Sequence, residues 1–243
     1  ERAEALAKEL GGDCVPVAKA RNTFLVTEKE YGDFVLELDI YVEDENGNSG
    51  VQSRSHYDAT AFNGEGKVYG RQCEVDPSWR RWTGGIYDEG RREWIYPLQL
   101  NAAAQYAYKP HTFNHYKIEC IGNEMKTWVN GIAAAYVADT IDTKGFIGLQ
   151  VHSVADEKQA GKKVIFKNIR IKTTGITPTP FPSHIYVANF FPNTLTGYEK
   201  KDGWRLLFDG KTNKGWRSAK GENFPAGGWK IADGAITVLS SEG

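Results

Sequence analysis

Residues 33–41 read Asp-Phe-Val-Leu-Glu-Leu-Asp-Ile-Tyr, and their period is two: Phe34, Leu36, Leu38 and Ile40 face one way, Val35, Glu37, Asp39 and Tyr41 the other. Side chains of an extended chain alternate between faces, whereas a helix repeats at about 3.6 residues. The stretch is therefore a strand with one buried face. Similar runs recur at about 49–54, 68–76, 115–121, 125–129, 145–152 and 163–172, separated by Gly, Asn and Asp, and Asn130-Gly131 is the strongest hairpin signal. Many short strands with few helical stretches predict an all-β protein, an antiparallel β-sandwich in which one face of each sheet packs inward and the other meets solvent or ligand. Composition agrees, since 26 Gly, 9 Pro, 12 Tyr, 11 Phe and 7 Trp against a single Met favour turns and pleated surfaces.

The chain has 243 residues, 40% hydrophobic and 25% charged, which is enough apolar material for a core and argues against disorder. A net charge of −1 supplies no field to draw in a polyanion, so nucleic acid is not an expected partner. No 18 apolar residues run together, so no membrane-spanning helix is expected. The first residue is Glu, from which a processed N-terminus and an exported protein, periplasmic or extracellular, are expected. Of the three cysteines, Cys73 and Cys120 occupy inward strand positions and read as small buried hydrophobes.

Three regions follow. Residues 1–172 form the sandwich domain, opened by a short peripheral helix over 1–10 that stops at Gly11-Gly12. Residues 173–202, with Pro178, Pro180, Pro182 and Pro192, read as a linker. In 203–243, Trp204–Phe208, Trp229–Ile231 and Ile236–Val238 look like strands, too few residues for an independent core.

The alternation also assigns faces around candidate chemistry. With Cys73 and Val75 inward, Gln72, Glu74 and Asp76 share the opposite face. With Ile147, Leu149 and Val151 inward, Gln150 and His152 point out, as do Gln52 and Arg54 against Val51 and Ser53. Arg54, Glu74, Asp76 and His152 would then line one groove. Any solvated sheet face alternates in this way, but Gln and Arg recur here where Lys, Glu and Thr would be usual. Residues 77–97 form a long insertion carrying Trp79, Trp82, Tyr87, Trp94 and Tyr96, whose flat rings suit sugar faces or pack on themselves. Its four arginines stand against Asp88, Glu89 and Glu93, which again discounts nucleic acid. Asp44–Asn48 reads as a tight turn, because it lacks the glycine and final Glu positions of a calcium loop. The five histidines show no paired metal spacing, and no phosphate loop, dinucleotide fingerprint or nucleophile elbow occurs.

Several segments resemble one family in order: Glu28–Asp39 (EKEYGDFVLELD), Gly47–Arg54 (GNSGVQSR), Gln72–Tyr87 (QCEVDPSWRRWTGGIY), Phe113–Gly131 (FNHYKIECIGNEMKTWVNG) and Phe146–Ser153 (FIGLQVHS), with Val164–Lys172. Over about 145 residues they resemble the 3-keto-disaccharide hydrolase-like family, which implies a concanavalin-like jelly roll. The family's usual opening, Leu-Phe-Asp-Gly-Lys, Gly-Trp and a Trp-Lys-x-x-Asp-Gly strand, is absent before Glu28 and occurs instead at Trp204–Val238. That tail resembles the start of a second copy, or strands completing the first sandwich, with a missing second domain or a swapped neighbouring chain as implied partner.

The resemblance implies carbohydrate as partner and cleavage of glycosides oxidised at C3, by elimination or net hydrolysis. A ketone at C3 acidifies the C2 proton, and the enediolate then expels the C1 substituent. On this reading Glu74 is base or metal ligand, Asp76 its partner ligand, and His152 general acid or ligand. Arg54 or a divalent metal ion of unknown identity stabilises the oxyanion, and Gln52, Asn48, Gln150, Trp82 and Tyr87 hold the sugar. Residues two apart on a strand lie roughly 7 Å apart, too wide for the roughly 5–5.5 Å of a retaining carboxylate pair. The alternative is a noncatalytic carbohydrate-binding module on the same fold.

Overall fold

The structure is a computed structural model that describes residues 13–14, 22–154 and 160–240. The helix expected over 1–10 lies outside the described residues. The chain divides into two compact units, residues 1–188 and 189–243. The strands in chain order are β1 (Asp13–Cys14), β2 (Thr23–Val26), β3 (Phe34–Val42), β4 (Ser49–Asp58), β5 (Lys67–Val75), β6 (Ile86–Glu89), β7 (Glu93–Tyr96), β8 (Asn114–Ile121), β9 (Glu124–Val129), β10 (Ile132–Ala138), β11 (Phe146–Val151), β12 (Val164–Lys172), β13 (Ala188–Asn189), β14 (Trp229–Ala232) and β15 (Ala235–Val238).

The first unit is an antiparallel β-sandwich. One sheet runs β1-β12-β3-β8-β9-β10-β13 and the other β2-β11-β4-β5-β6-β7. Phe34, Leu36, Leu38 and Ile40 of β3, with Ile118 and Cys120 of β8, meet Val51 of β4 and Cys73 and Val75 of β5 in one buried layer. The two cysteines are free thiols inside that layer. Asn130 and Gly131 both take positive φ, 50° and 79°, as a two-residue turn between right-twisted strands requires, and Val129 pairs with Ile132 across it. The Asp44 side chain accepts from Asn46 N at 2.9 Å and its carbonyl from Gly47 N at 2.7 Å, a turn closed by its own carboxylate.

The stretch read as an insertion, 77–97, contains β6 and β7. They pair as Tyr87↔Trp94 and extend the second sheet through Gln72↔Tyr87 and Cys73↔Ile86. Four residues on either side of a turn are too few to show a period in the sequence. β10 is also invisible in the sequence, because its Ala-rich run has little contrast between faces.

The stretch read as a linker divides as well. Proline removes a ladder donor but does not stop its neighbours from packing. Thr179 donates from N and Oγ1 to the buried Glu119 carboxylate, and the Phe181 ring lies 5.5 Å from Trp128 and 5.2 Å from Tyr136. Residues up to Ala188 therefore belong to the first unit. In the second unit β14 and β15 pair with each other as a separate two-stranded sheet. Residues 204–208, expected to be a strand, form none: they pair with no strand among the described residues, and Trp204 and Leu207 are 63% and 78% exposed. A strand exists through its ladder, so apolar alternation alone does not make one.

The β6–β7 hairpin is fastened by charge. Asp88, fully buried, accepts from Arg91 Nη2 at 2.7 Å and Arg92 Nε at 2.5 Å, while Arg92 reaches Asp139 at 2.6 Å and Arg91 reaches Asp142. Removing the central carboxylate leaves two partly buried guanidiniums short of a partner. Asp88→Ala is therefore expected to lower the unfolding free energy by roughly 3 kcal/mol, read from urea denaturation. Glu93→Ala, exposed on the same hairpin, should change it by less than about 0.5 kcal/mol.

Candidate functional site

Because the inner faces of β4, β5 and β11 are committed to the core, their alternate side chains converge on the outer face of the second sheet. There a groove of about 230 Å³ is lined by Gln72 and Glu74 of β5, Tyr87 and Glu89 of β6, Trp94 of β7 and Gln150 of β11. Asn22, Asn48, Arg80 and His152 complete its lining.

A relay of amides runs along its floor. Ser55 Oγ donates to Gln52 Oε1 at 2.6 Å, Gln52 Nε2 to Gln72 Oε1 at 2.8 Å, and Gln72 Nε2 to Glu74 Oε1 at 2.5 Å. Gln72 Nε2 also lies 3.4 Å from Gln150 Oε1. Gly50, paired with Glu74 across the strands, makes room for this arrangement, since a Cβ there would lie 2.2 Å from Gln72 Cδ.

Glu74 is 3% exposed, and burial pushes its carboxyl up to about 8. The Gln72 amide resists that shift, the charges of Asp76 and Glu89 add to it, and Arg80 opposes it. Near neutral pH Glu74 therefore holds a proton. Burial also raises the Glu89 carboxyl, against a hydrogen bond from Asn22. His152 Nδ1 lies 2.6 Å from Ser153 O. A carbonyl can only accept, so Nδ1 carries the hydrogen, and in the neutral ring Nε2 keeps the lone pair.

Arg80 is held from both sides. Its Nη2 meets Asp76 Oδ2 at 2.7 Å, and its guanidinium carbon lies 4.9 Å from the Trp82 ring centre and 5.5 Å from that of Trp94. Trp94 in turn stands edge-on to Trp82 at 4.5 Å and to Tyr87 at 5.2 Å.

Of the residues chosen from the sequence, Glu74, His152, Asn48, Gln150 and Tyr87 line the groove. Gln52, Asp76 and Trp82 stand behind it: Gln52 grips Gln72, Asp76 grips Arg80, and Trp82 packs between the core and Trp94. Arg54 is a correction. A bulge between Ser53 and His56 inserts one residue into β4 and puts Arg54 at φ 52°, which breaks the alternation that had placed it on the groove side. Its guanidinium is fully buried and donates to Gly32 O, Gly122 O and Asp33 Oδ1 at 2.7, 2.7 and 2.9 Å. Gln72, Arg80, Glu89, Trp94 and Asn22 line the groove as well, beyond the site residues that the sequence points to. Gln72 and Trp94 had a legible signal, the first as a same-face neighbour of Glu74, the second in the aromatic run. Asn22 had none.

Among the described residues no group of three His, Cys, Asp or Glu side chains comes together in the manner of a closed metal site. Nor, among those residues, is any helix long and apolar enough to cross a membrane.

A family model described as the 3-keto-alpha-glucoside-1,2-lyase-like domain matches residues 9–172. No curated protein matches the chain. Among solved structures, the carbohydrate-binding module CBM66 from Bacillus subtilis is similar at 17% identity, covering 66% of this chain and 85% of its own, with a TM-score of 0.43. A Parabacteroides distasonis protein provisionally described as a glycosyl hydrolase is similar at 18% identity, with 67% and 80% covered and a TM-score of 0.46. A Bacillus subtilis protein of unknown function with a galectin-like fold is similar at 12% identity, with 66% and 81% covered and a TM-score of 0.46. Chemistry does not transfer at such distances.

Two outcomes follow from the groove's electrostatics. The folded chain keeps the Glu74 proton up to about pH 8, whereas a free carboxyl releases it near 4.5, so the native state loses stability as pH rises through that window. Glu74→Gln imitates the neutral form and removes this loss. Its unfolding free energy relative to the native protein should climb by a few kcal/mol between pH 5 and pH 9; a constant difference would mean an ordinary carboxylate. Gly50→Ala should expel the Gln72 amide from Glu74 and raise the Glu74 midpoint further, seen by carboxyl-carbon NMR titration.

Proposed function

This chain belongs to the 3-keto-alpha-glucoside-1,2-lyase-like domain family, and from that premise we propose that its groove binds a glycoside oxidised at C3 and breaks the bond at C1. The observation that carries the reading is a carboxyl that keeps its proton near neutral pH and an imidazole with an available Nε2 lining one polar hollow. The pair supplies a proton donor and a proton acceptor within one hollow.

The sequence expectation had Glu74 as base and His152 as acid; their surroundings favour the reverse. His152 Nε2 takes the proton from C2. The electron pair left behind moves toward the C3 carbonyl and gives an enediolate, whose negative oxygen the Arg80 guanidinium stabilises. The pair then returns to form the C1–C2 double bond as the C1–O bond breaks, and Glu74 protonates the departing oxygen. His152 gains one proton and Glu74 loses one, so a net proton exchange through water restores both. Addition of water across the new double bond converts elimination into net hydrolysis. Asp76 acts through Arg80, and Gln52 through Gln72 and Glu74, as positioning residues. Asn48, Gln150 and Tyr87 meet the sugar's hydroxyls and ring face.

The test is release of the alcohol from a 3-keto-α-glucoside, followed with the native protein, Glu74→Gln and His152→Ala. Each substitution should lower kcat by about 10²- to 10⁴-fold, and a chelator should leave the native rate unchanged. Binding without release, equal in all three proteins, would make the chain a carbohydrate-binding module.

A further inference from the structure

A second, larger hollow of about 710 Å³ adjoins the polar groove and shares Asn22 and Glu89 with it as a common wall. Its character is different: Phe24, Val26, Tyr57, Phe62 and Phe146 line it. Tyr57 and Phe62 are 58% and 59% exposed, so neither ring is there to fill the core.

The backbone around both is nevertheless specialised. Phe62 stands at φ 53°, ψ 45°, followed by Asn63 at φ 59° and Gly64 at φ 92°, three successive residues in the left-handed region. A bulky side chain seldom adopts that conformation, and Phe62 gains little burial in return. The Tyr57 ring lies over Gly66, where a Cβ would come within 1.9 Å of its hydroxyl. A left-handed backbone at one ring and a glycine seat under the other present two exposed aromatic side chains to one hollow.

Building on the proposed cleavage, we propose that this hollow receives the leaving group, and that the preferred substrates carry an aromatic or otherwise flat apolar aglycone. The keto-sugar is polar on every edge and matches the amide-lined groove. That groove, at about 230 Å³, falls below the roughly 300–1,000 Å³ of ordinary ligand sites, so the substituent on C1 must find its room next door. The wall between the two, Asn22 against Glu89, is where the glycosidic oxygen would cross.

The experiment compares 4-nitrophenyl with methyl 3-keto-α-glucoside in turnover, and the unoxidised 4-nitrophenyl and methyl α-glucosides in calorimetric binding, for the native protein, Phe62→Ala and Tyr57→Ala. The native protein should prefer the aryl compounds by about tenfold or more in KM and in affinity, and each substitution should shrink that preference. Equal handling of aryl and methyl compounds, binding of neither, or a preference that survives both substitutions overturns the inference. An aryl preference in binding that both substitutions abolish, without turnover of either keto-glycoside, supports the apolar site and rejects the cleavage reading alone.

Discussion

The layer of hydrocarbon between the two sheets governs the molecule. Val51, Cys73 and Val75 are wholly withdrawn from water against the inward residues of β3 and β8. A strand cannot bury one side chain without presenting the next to the other side. Gln52, Gln72 and Glu74 are thereby delivered, on adjacent strands, to the outer face of the same sheet. Slippage by one residue would exchange the two sets, placing a carboxylate in the core and a valine in the groove.

Delivery alone would leave a wet polar face. What makes it a chemical site is the wall added by β6, β7 and the segment before them, with Tyr87, Trp94 and the stacked Arg80 rising beside Glu74. That wall removes water from the carboxyl and so keeps it neutral. It depends in turn on a charge cluster on the far side of the same hairpin, where Asp88 draws Arg91 and Arg92 together. Tyr87 and Glu89 face the groove and Asp88, between them, faces the fastening. One four-residue strand thus both lines the site and anchors it.

The strength of local alternation decides how much of the fold is legible in the sequence. β3, β4, β5, β8, β11 and β12 are long enough for their apolar faces to show, and the placements of Glu74, Gln150 and His152 follow from them. β6 and β7 are too short, and β10 too rich in alanine, for any contrast to appear. Arg54 fails for a different reason: the bulge in β4 is set by pairing with β5 around Gly70, and nothing in the residues before Arg54 announces it. Likewise the prolines after residue 173 truthfully report the absence of a ladder, yet are silent about Thr179 and Phe181 seating against Glu119 and Trp128. Asn22 comes to the groove from across the sheet, a long-range closure with no local trace.

Cys73 is bonded in sequence to Glu74 but lies on the opposite side of the sheet, sealed with Cys120 in the core, and burial raises both thiols above their ordinary range. Neither can become a nucleophilic thiolate while the layers stay closed. The reaction of these sulfurs with an alkylating reagent therefore keeps time with the parting of the sheets, an intrinsic clock for the breathing of the wall that bears the carboxyl.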